Sequence, residues 1–469
     1  MSRLFLLLVA MLAAAGCAYF NGVYNARQAA ERADRMRRDG EADSAAAAYA
    51  LAAASAETVL VRYPDSRWRV DALFIAGRAT ALTGECGRAT QWLRLFLAET
   101  REDDARCADA TLALGRCQVE LGDHAGARET LAPLLGAAPG ESRSQAALWA
   151  SRAARAMGED ARADAYLDGA SADIARRERA RAAMSRQDYA VAESLFALGA
   201  GTGALSEDVL LALPEIWRAG RESAVMEIVR RYEGARVPPS DLARLHVLAA
   251  ALNEGSGSDS VAAAHLRRAG MLAADSALRS EVLARLAALA IRDMSSLVDM
   301  NAEMSRFREE GARGATWRRL ERLLLMITLL DARHDPAGAS RFLAAELARD
   351  SLDARLVAHA LMRSVAQLSP EGSLAAKALL AAADLVPDSA DVYRARVLSL
   401  HADSPYAYIL RGRDPAAAAE FGSDDTLLRR AWRAASDAMA DTLRSLAGPA
   451  ADSGRPSRAS PGSGPPATP

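Results

Sequence analysis

The chain has 469 residues, with 58 Lys and Arg against 60 Asp and Glu and a formal net charge of −2, so it lacks the basic excess that nucleic-acid binding requires. Aromatics make up only 5% and alanine, leucine and arginine dominate, with no run of alternating β-branched residues. That composition points to an all-α protein packed through small residues, long enough for one extended solenoid core or two to three globular ones. Lys377 is the only lysine. Arginine suits recognition of anions, but its scatter here equally fits codon bias in a GC-rich genome.

Residues 1–16 read as a secretory signal. Arg3 supplies the positive start, Leu4 to Leu12 the apolar run, and Ala13 to Gly16 a small-residue cleavage region. The run is too short for a permanent membrane span. With Cys17 next, Ala14-Ala15-Gly16-Cys17 resembles the lipobox of bacterial lipoproteins, although Ala14 stands where that family usually has leucine. The resemblance implies lipidation of Cys17 and a membrane anchor of several acyl chains. Ala18, in place of the aspartate that retains such proteins in the inner membrane, implies the periplasmic face of the outer membrane. The alternative is an ordinary cleaved signal that leaves Cys17 free.

Tyr19, Phe20 and Tyr24 open the mature chain, positioned to cap the first repeat or to touch the membrane interface. A charged helical run extends to Arg38, Gly40 breaks it, and a second helix follows from Glu41 to Val61 with Tyr49 and Leu51 as expected core residues. Arg62-Tyr63-Pro64-Asp65-Ser66 then stops one helix and caps the next through Ser66 or Asp65.

Residues 62–139 contain one pattern twice. Gly77, Gly84, Ala89, Leu93 and Phe96 are matched by Gly115, Gly122, Ala127, Leu131 and Leu134, and the two copies lie 38 residues apart, a period suited to a helix-turn-helix solenoid. The first glycine permits close helix approach and the second ends the helix in a left-handed conformation. Ala89 and Ala127 keep the second helix near, and the large apolar residues fill the groove between neighbours. The pattern resembles the tetratricopeptide repeat (TPR).

Weaker copies follow through Gly158 and Ala163, through Gln187, Ala192 and Phe196 (glutamine in the glycine place), and through Gly220, Val225 and Val229. Gly199 to Gly203 and Pro238-Pro239 read as linkers, which places a boundary near 238. The spacing drifts over 242–352, where Leu278 to Leu297 reads as one long amphipathic segment and Trp317 to Leu330 as another. Clearer repeats return over 365–410, and a helix from Asp424 to Leu446 is expected to cap the last apolar face. The expected architecture is a right-handed α-solenoid of TPR-like hairpins with irregular middle repeats. It comprises an N-terminal solenoid over 17–238, a C-terminal helical region over 239–447, and a disordered Pro/Ser/Gly tail over 448–469.

The junction at 62–66 is echoed at Pro387-Asp388-Ser389 and at Ala402 to Ala407. With the lipoprotein start, these junctions resemble the outer-membrane assembly lipoproteins, the BamD-like proteins of the β-barrel assembly machinery, over about 17–140 and 365–410. The resemblance implies a scaffold that contacts barrel-assembly components or unfolded client segments. Trp68, Arg69, Arg78 and Trp92 are candidate partner contacts, Trp92 being equally suited to the core. A coordinator of cell-envelope constriction or peptidoglycan synthesis built from the same repeats is a second reading. An enzyme with a site in 240–350 is a third, which a pocket of converging polar groups there would favour and a packed core would count against.

Cys107 and Cys117 lie ten residues apart on one predicted helix, about 15 Å by helical rise, too far to bridge. Counted outward from the loop near 102, Cys86 and Cys117 stand 16 and 15 residues away, level on an antiparallel hairpin. That predicts proximity and a disulfide, with Cys107 buried and free; the alternative is three small buried hydrophobes. The six histidines show no i, i+4 pair, and His124 is expected in a solvent-exposed turn. No nucleophile elbow, phosphate loop or dinucleotide fingerprint occurs. Asp103-Asp104 and Asp424-Asp425 precede helices, where the dipole favours negative charge. The sequence therefore implies no cofactor, no metal and no small-molecule substrate.

Overall fold

The computed structural model describes residues 22–137, 140–417 and 422–446. The signal segment, Cys17, the aromatics Tyr19 and Phe20, and the 448–469 tail lie outside the described residues. The described chain is helical throughout, with short 3-10 turns and no strand. It divides into two compact units, 1–236 and 237–469.

The first unit holds six helix pairs. They are α1 (22–38) with α2 (Ala42–Arg62), α3 (Arg69–Leu82) with α4 (Cys86–Glu99), and α5 (Cys107–Glu120) with α6 (His124–Leu135). After these come α7 (Glu141–Ala156) with α8 (Asp160–Leu167), α9 (Ala172–Ser185) with α10 (Tyr189–Gly199), and α11 (Glu207–Arg218) with α12 (Glu222–Glu233). The second unit opens with α13 (Pro239–Gly255) and α14 (Asp259–Leu272), which pair in the same way.

One register runs through all seven pairs. The first helix of each ends at a residue with positive φ: Gly40, Gly84, Gly122, Gly158, Gln187, Gly220 and Gly257. Five residues on stand Ala45, Ala89, Ala127, Ala163, Ala192, Val225 and Ala262, all buried. Nine on stand Tyr49, Leu93, Leu131, Leu167, Phe196, Val229 and Leu266, also buried. The small residue lets the second helix close on the first, and the large one fills the seam. A Cβ added to Gly115 would lie 2.5 Å from Leu131 Cδ2, and one on Gly77 2.7 Å from Leu93 Cγ. No side chain larger than hydrogen fits there without displacing the leucine.

Tyr49 is core, as its place in the register requires. Leu51 is 57% exposed, because two residues along a helix turn a side chain about 200° to the other face. Among the described residues, α2 is also the one helix long and apolar enough to cross a membrane, but its apolar face, including Ala52, Ala56 and Val59, is packed into the core of this unit. Gly199 to Gly203 forms the end of α10 and a 3-10 turn, and Pro239 is the first residue of α13, where its missing N–H costs nothing.

In the second unit the regular pairing lapses once. Leu278 to Leu297 is two helices, α15 (Ser276–Ala290) and α16 (Leu297–Glu310), broken by a six-residue turn over 291–296. α16 buries only a narrow stripe, Met300, Met304 and Phe307, and α15 packs directly on α17 (Gly314–Ala332). Pairing resumes with α18 (Ala339–Leu352), α19 (Arg355–Leu368), α20 (Ser373–Leu385), α21 (Ala390–Leu400) and α22 (Pro405–Leu410). Ser404 Oγ accepts from the Ala407 N–H as the cap of α22. The last helix, α23 (Gly422–Leu446), does not stack on the end of the array. It folds back against α17 and α18, where Ala431 and Ala435 are buried with Leu427 and Met439 beside them. The six-residue α22 presents too little apolar surface to hold a 25-residue helix.

Candidate partner-binding groove

The odd-numbered helices of the first unit share one face, and the register places a charged residue on it at the same point in successive pairs. Six positions before the turn residue stand Asp34, Arg78, Arg116, Arg152 and Arg181. Arg78 forks onto Asp34 (2.9 and 3.2 Å), whose Oδ1 also accepts from the Tyr49 hydroxyl. Burial alone would raise the Asp34 carboxyl, but Arg78 and Tyr49 hold it below the usual range. Arg116 pairs with Glu120 along its own helix (2.7 Å), and Arg152 reaches across to Glu178 of α9 (3.0 Å). Arg181 bridges Glu178 (2.9 Å) and Asp208 of α11 (2.8 Å). The result is a ladder of guanidiniums, each held by a carboxylate and most by one from a neighbouring pair.

Trp149 stands in this ladder. The Arg116 and Arg152 guanidiniums lie 5.5 and 4.7 Å from its ring centroid, within cation–π range. Together with Arg37, Arg78, Leu82, Asp109, Leu112, Glu141 and Gln145, it lines a groove of about 330 Å³ running across α3, α5 and α7. Half-buried Trp and Arg flanked by apolar Leu are the residue types that carry binding energy at protein interfaces.

Of the residues singled out from sequence, Arg78 lines this groove. Trp68 packs against the core of the unit with Arg67 over its ring at 4.9 Å. Arg69 forks onto Glu99 of α4 (2.8 and 2.9 Å), and Trp92 Nε1–H donates to Glu57 of α2 (3.0 Å). These three therefore tie neighbouring helices together. Arg106 stands 38 residues after Trp68 and does the same for the next junction, binding Asp71 (2.6 Å) and Asp104 (2.7 Å) beside the rings of Phe74 and Phe96. Trp149, Arg116 and Arg152 escaped the sequence reading, although counting six back from each turn residue would have found the arginines.

Cys86 and Cys117 form a disulfide with Cα atoms 4.9 Å apart. Cys107 is free but not buried, since it opens α5 at the helix end and its Sγ lies 3.4 Å from the Arg101 carbonyl. His124 begins α6 half-buried, not solvent-exposed, because its helix closes on α5 immediately. Across the α13–α14 pair, His246 and His265 meet at Nδ1 (3.0 Å), a contact invisible to i, i+4 counting. Burial first, then the neighbouring His265 and Arg268, push the His246 imidazole down to about 4.

In 240–350 the helices form a packed core around Trp317, Met304 and Ile327, with a surface groove of about 460 Å³ on α16 and α17. Its polar groups pair with one another: Arg308 with Glu321 (2.9 Å) and Asn301 with Thr328 (3.4 Å). Among the described residues, no three His, Cys, Asp or Glu side chains gather as metal ligands.

No family model and no curated protein matches the chain. Among solved structures it is similar to one titled "Crystal Structure of P58(IPK) TPR Domain at 2.5 A", at 15% identity and a TM-score of 0.21, over 90% of this chain and 99% of that one. So loose a superposition carries no weight, and the fold rests on the hairpin register itself: an all-α solenoid of TPR-like helix pairs.

Proposed function

We propose that the protein is a periplasm-facing, outer-membrane-anchored lipoprotein scaffold that binds protein partners in outer-membrane protein assembly. The observation that carries the binding role is the groove across α3, α5 and α7, with Trp149 held between two arginines above apolar Leu82 and Leu112. Repeat arrays of this kind offer such faces to extended segments of other proteins. The anchor and the compartment rest on the Ala14-to-Cys17 lipobox and on Ala18. A disulfide between Cys86 and Cys117 accords with an oxidising compartment. The assembly role rests on the resemblance of the inter-repeat junctions.

The test is affinity purification of the lipidated protein from mild detergent, followed by mass spectrometry, with Cys17→Ala and Trp149→Ala in parallel. Recovery of barrel-assembly components that is lost in both variants is the expected result. Recovery of peptidoglycan synthases instead moves the protein to envelope coordination. Partners retained at full yield by Trp149→Ala would remove the groove from the proposal.

A further inference from the structure

In the second unit, a cavity of about 260 Å³ lies between α19 and α21. Arg363 projects into it from α19 and Arg396 from α21, with His401 at the end of α21 and an apolar wall that includes Leu379 and Leu400. Tyr393 presents its ring, its hydroxyl being engaged by His359 Nε2 at 2.7 Å.

The arginine ladder of the first unit and the grooves on α3–α7 and α16–α17 all contain carboxylates. This cavity contains none, and among the described residues neither Arg363 nor Arg396 has an ion-pair partner. His401 Nε2 also meets no hydrogen-bond partner. In a chain with 60 acidic against 58 basic residues, two guanidiniums facing one cavity without a carboxylate are a departure from the local rule. Their mutual repulsion is relieved by an anion between them.

We propose that this cavity binds a phosphate monoester dianion carried on an apolar group. Two guanidiniums match the double charge and present forked donors to phosphoryl oxygens. The leucine wall accepts the organic part, and His401 offers a further polar contact. The site lies in the other unit from the groove and stands independently of the partner-binding reading.

The test titrates the full chain with phenyl phosphate, followed by phosphorus NMR and calorimetry. Benzoate serves as the singly charged ring control, and Arg394→Gln as the variant outside the cavity. Because hydrogen bonds to charged groups are individually strong, the expected result is an affinity loss of about tenfold or more in R363Q/R396Q. Thermal unfolding is unchanged in that variant, Arg394→Gln leaves the affinity intact, and benzoate binds at least about tenfold more weakly than phenyl phosphate. Undiminished binding in R363Q/R396Q, equal affinity for benzoate, or no binding of phenyl phosphate overturns the proposal. Competition by phosphatidic-acid vesicles would assign the ester to a lipid headgroup, and absence of competition to a soluble phosphate ester. Either outcome accompanies a confirmed site.

Discussion

Gly115 and Gly122 lie seven residues apart and do opposite things. Gly115 is glycine for lack of room, since a Cβ there would sit 2.5 Å from Leu131. Gly115→Ala is expected to lower stability by about 1–3 kcal/mol through overpacking. Gly122 has open space but φ of +83°, so Gly122→Ala is expected to cost about 1–2 kcal/mol in backbone strain alone. Gln187 holds the same turn position at φ of 59°, and Gln187→Gly should stabilise by about 1 kcal/mol. Urea midpoints for the three variants check both signs. His246 adds a pH dependence. Its folded imidazole titrates at about 4 against 6.5 ordinarily, so the unfolded chain binds the extra proton between those values. The stability it permits is complete above 6.5 and falls as pH drops toward 4. Thermal scans of His246→Leu should therefore lose less melting temperature than the parent between pH 7 and 4.5, and an identical loss would refute the assignment.

At the scale of elements, the disulfide joins the start of α4 to the end of α5 and closes a span of 31 residues. In the chain-entropy account its removal by Cys86→Ala with Cys117→Ala costs about 3–4 kcal/mol, measurable as the shift in urea midpoint against the oxidised parent. The pairing was legible because both cysteines sit at known distances from one loop, and antiparallel helices convert equal counts into equal heights. The fate of α23 was not legible. Its amphipathic pattern announces a partner face without naming the partner, and α17 and α18 are some 80 to 100 residues earlier in the chain. Deleting 422–446 should uncover the apolar strip beside Ala431 and Met439, seen as increased binding of a hydrophobic dye with helicity otherwise retained. Unchanged dye binding would mean that the strip is not covered by α23 in solution. The break at 291–296 was missed for a related reason: apolar residues continue across it, and only the packing of α15 on α17 turns the chain out.

For the whole molecule, the division between Arg236 and Val237 predicts that residues 17–236, expressed alone, unfold in one cooperative helical transition. A broad, non-cooperative loss of ellipticity would show that this unit needs the rest of the chain. The candidate groove was half legible. Its arginines recur six residues before each turn, a regularity any count of the repeats can reveal, yet Trp149 has no counterpart in the other copies. Trp68, Arg69 and Trp92 looked equally suitable in sequence. Only the fold assigns their polar atoms to neighbouring helices.

The sequence by itself determined what depends on local geometry and period: helices throughout, the turn residues, the small-against-large seam of each pair, and the cysteines placed level across a hairpin. Steric fit within about forty residues suffices for these, because each pair repeats the same contacts. The tertiary structure decided what depends on distant meetings. These are the carboxylate that takes up each arginine, the helices that α23 covers, the contact of His246 with His265, and the cavity where Arg363 and Arg396 face each other without an acid. Charge and apolar patterning advertise the need for a partner in each case, but the identity of that partner is set only when helices far apart in the chain are packed side by side.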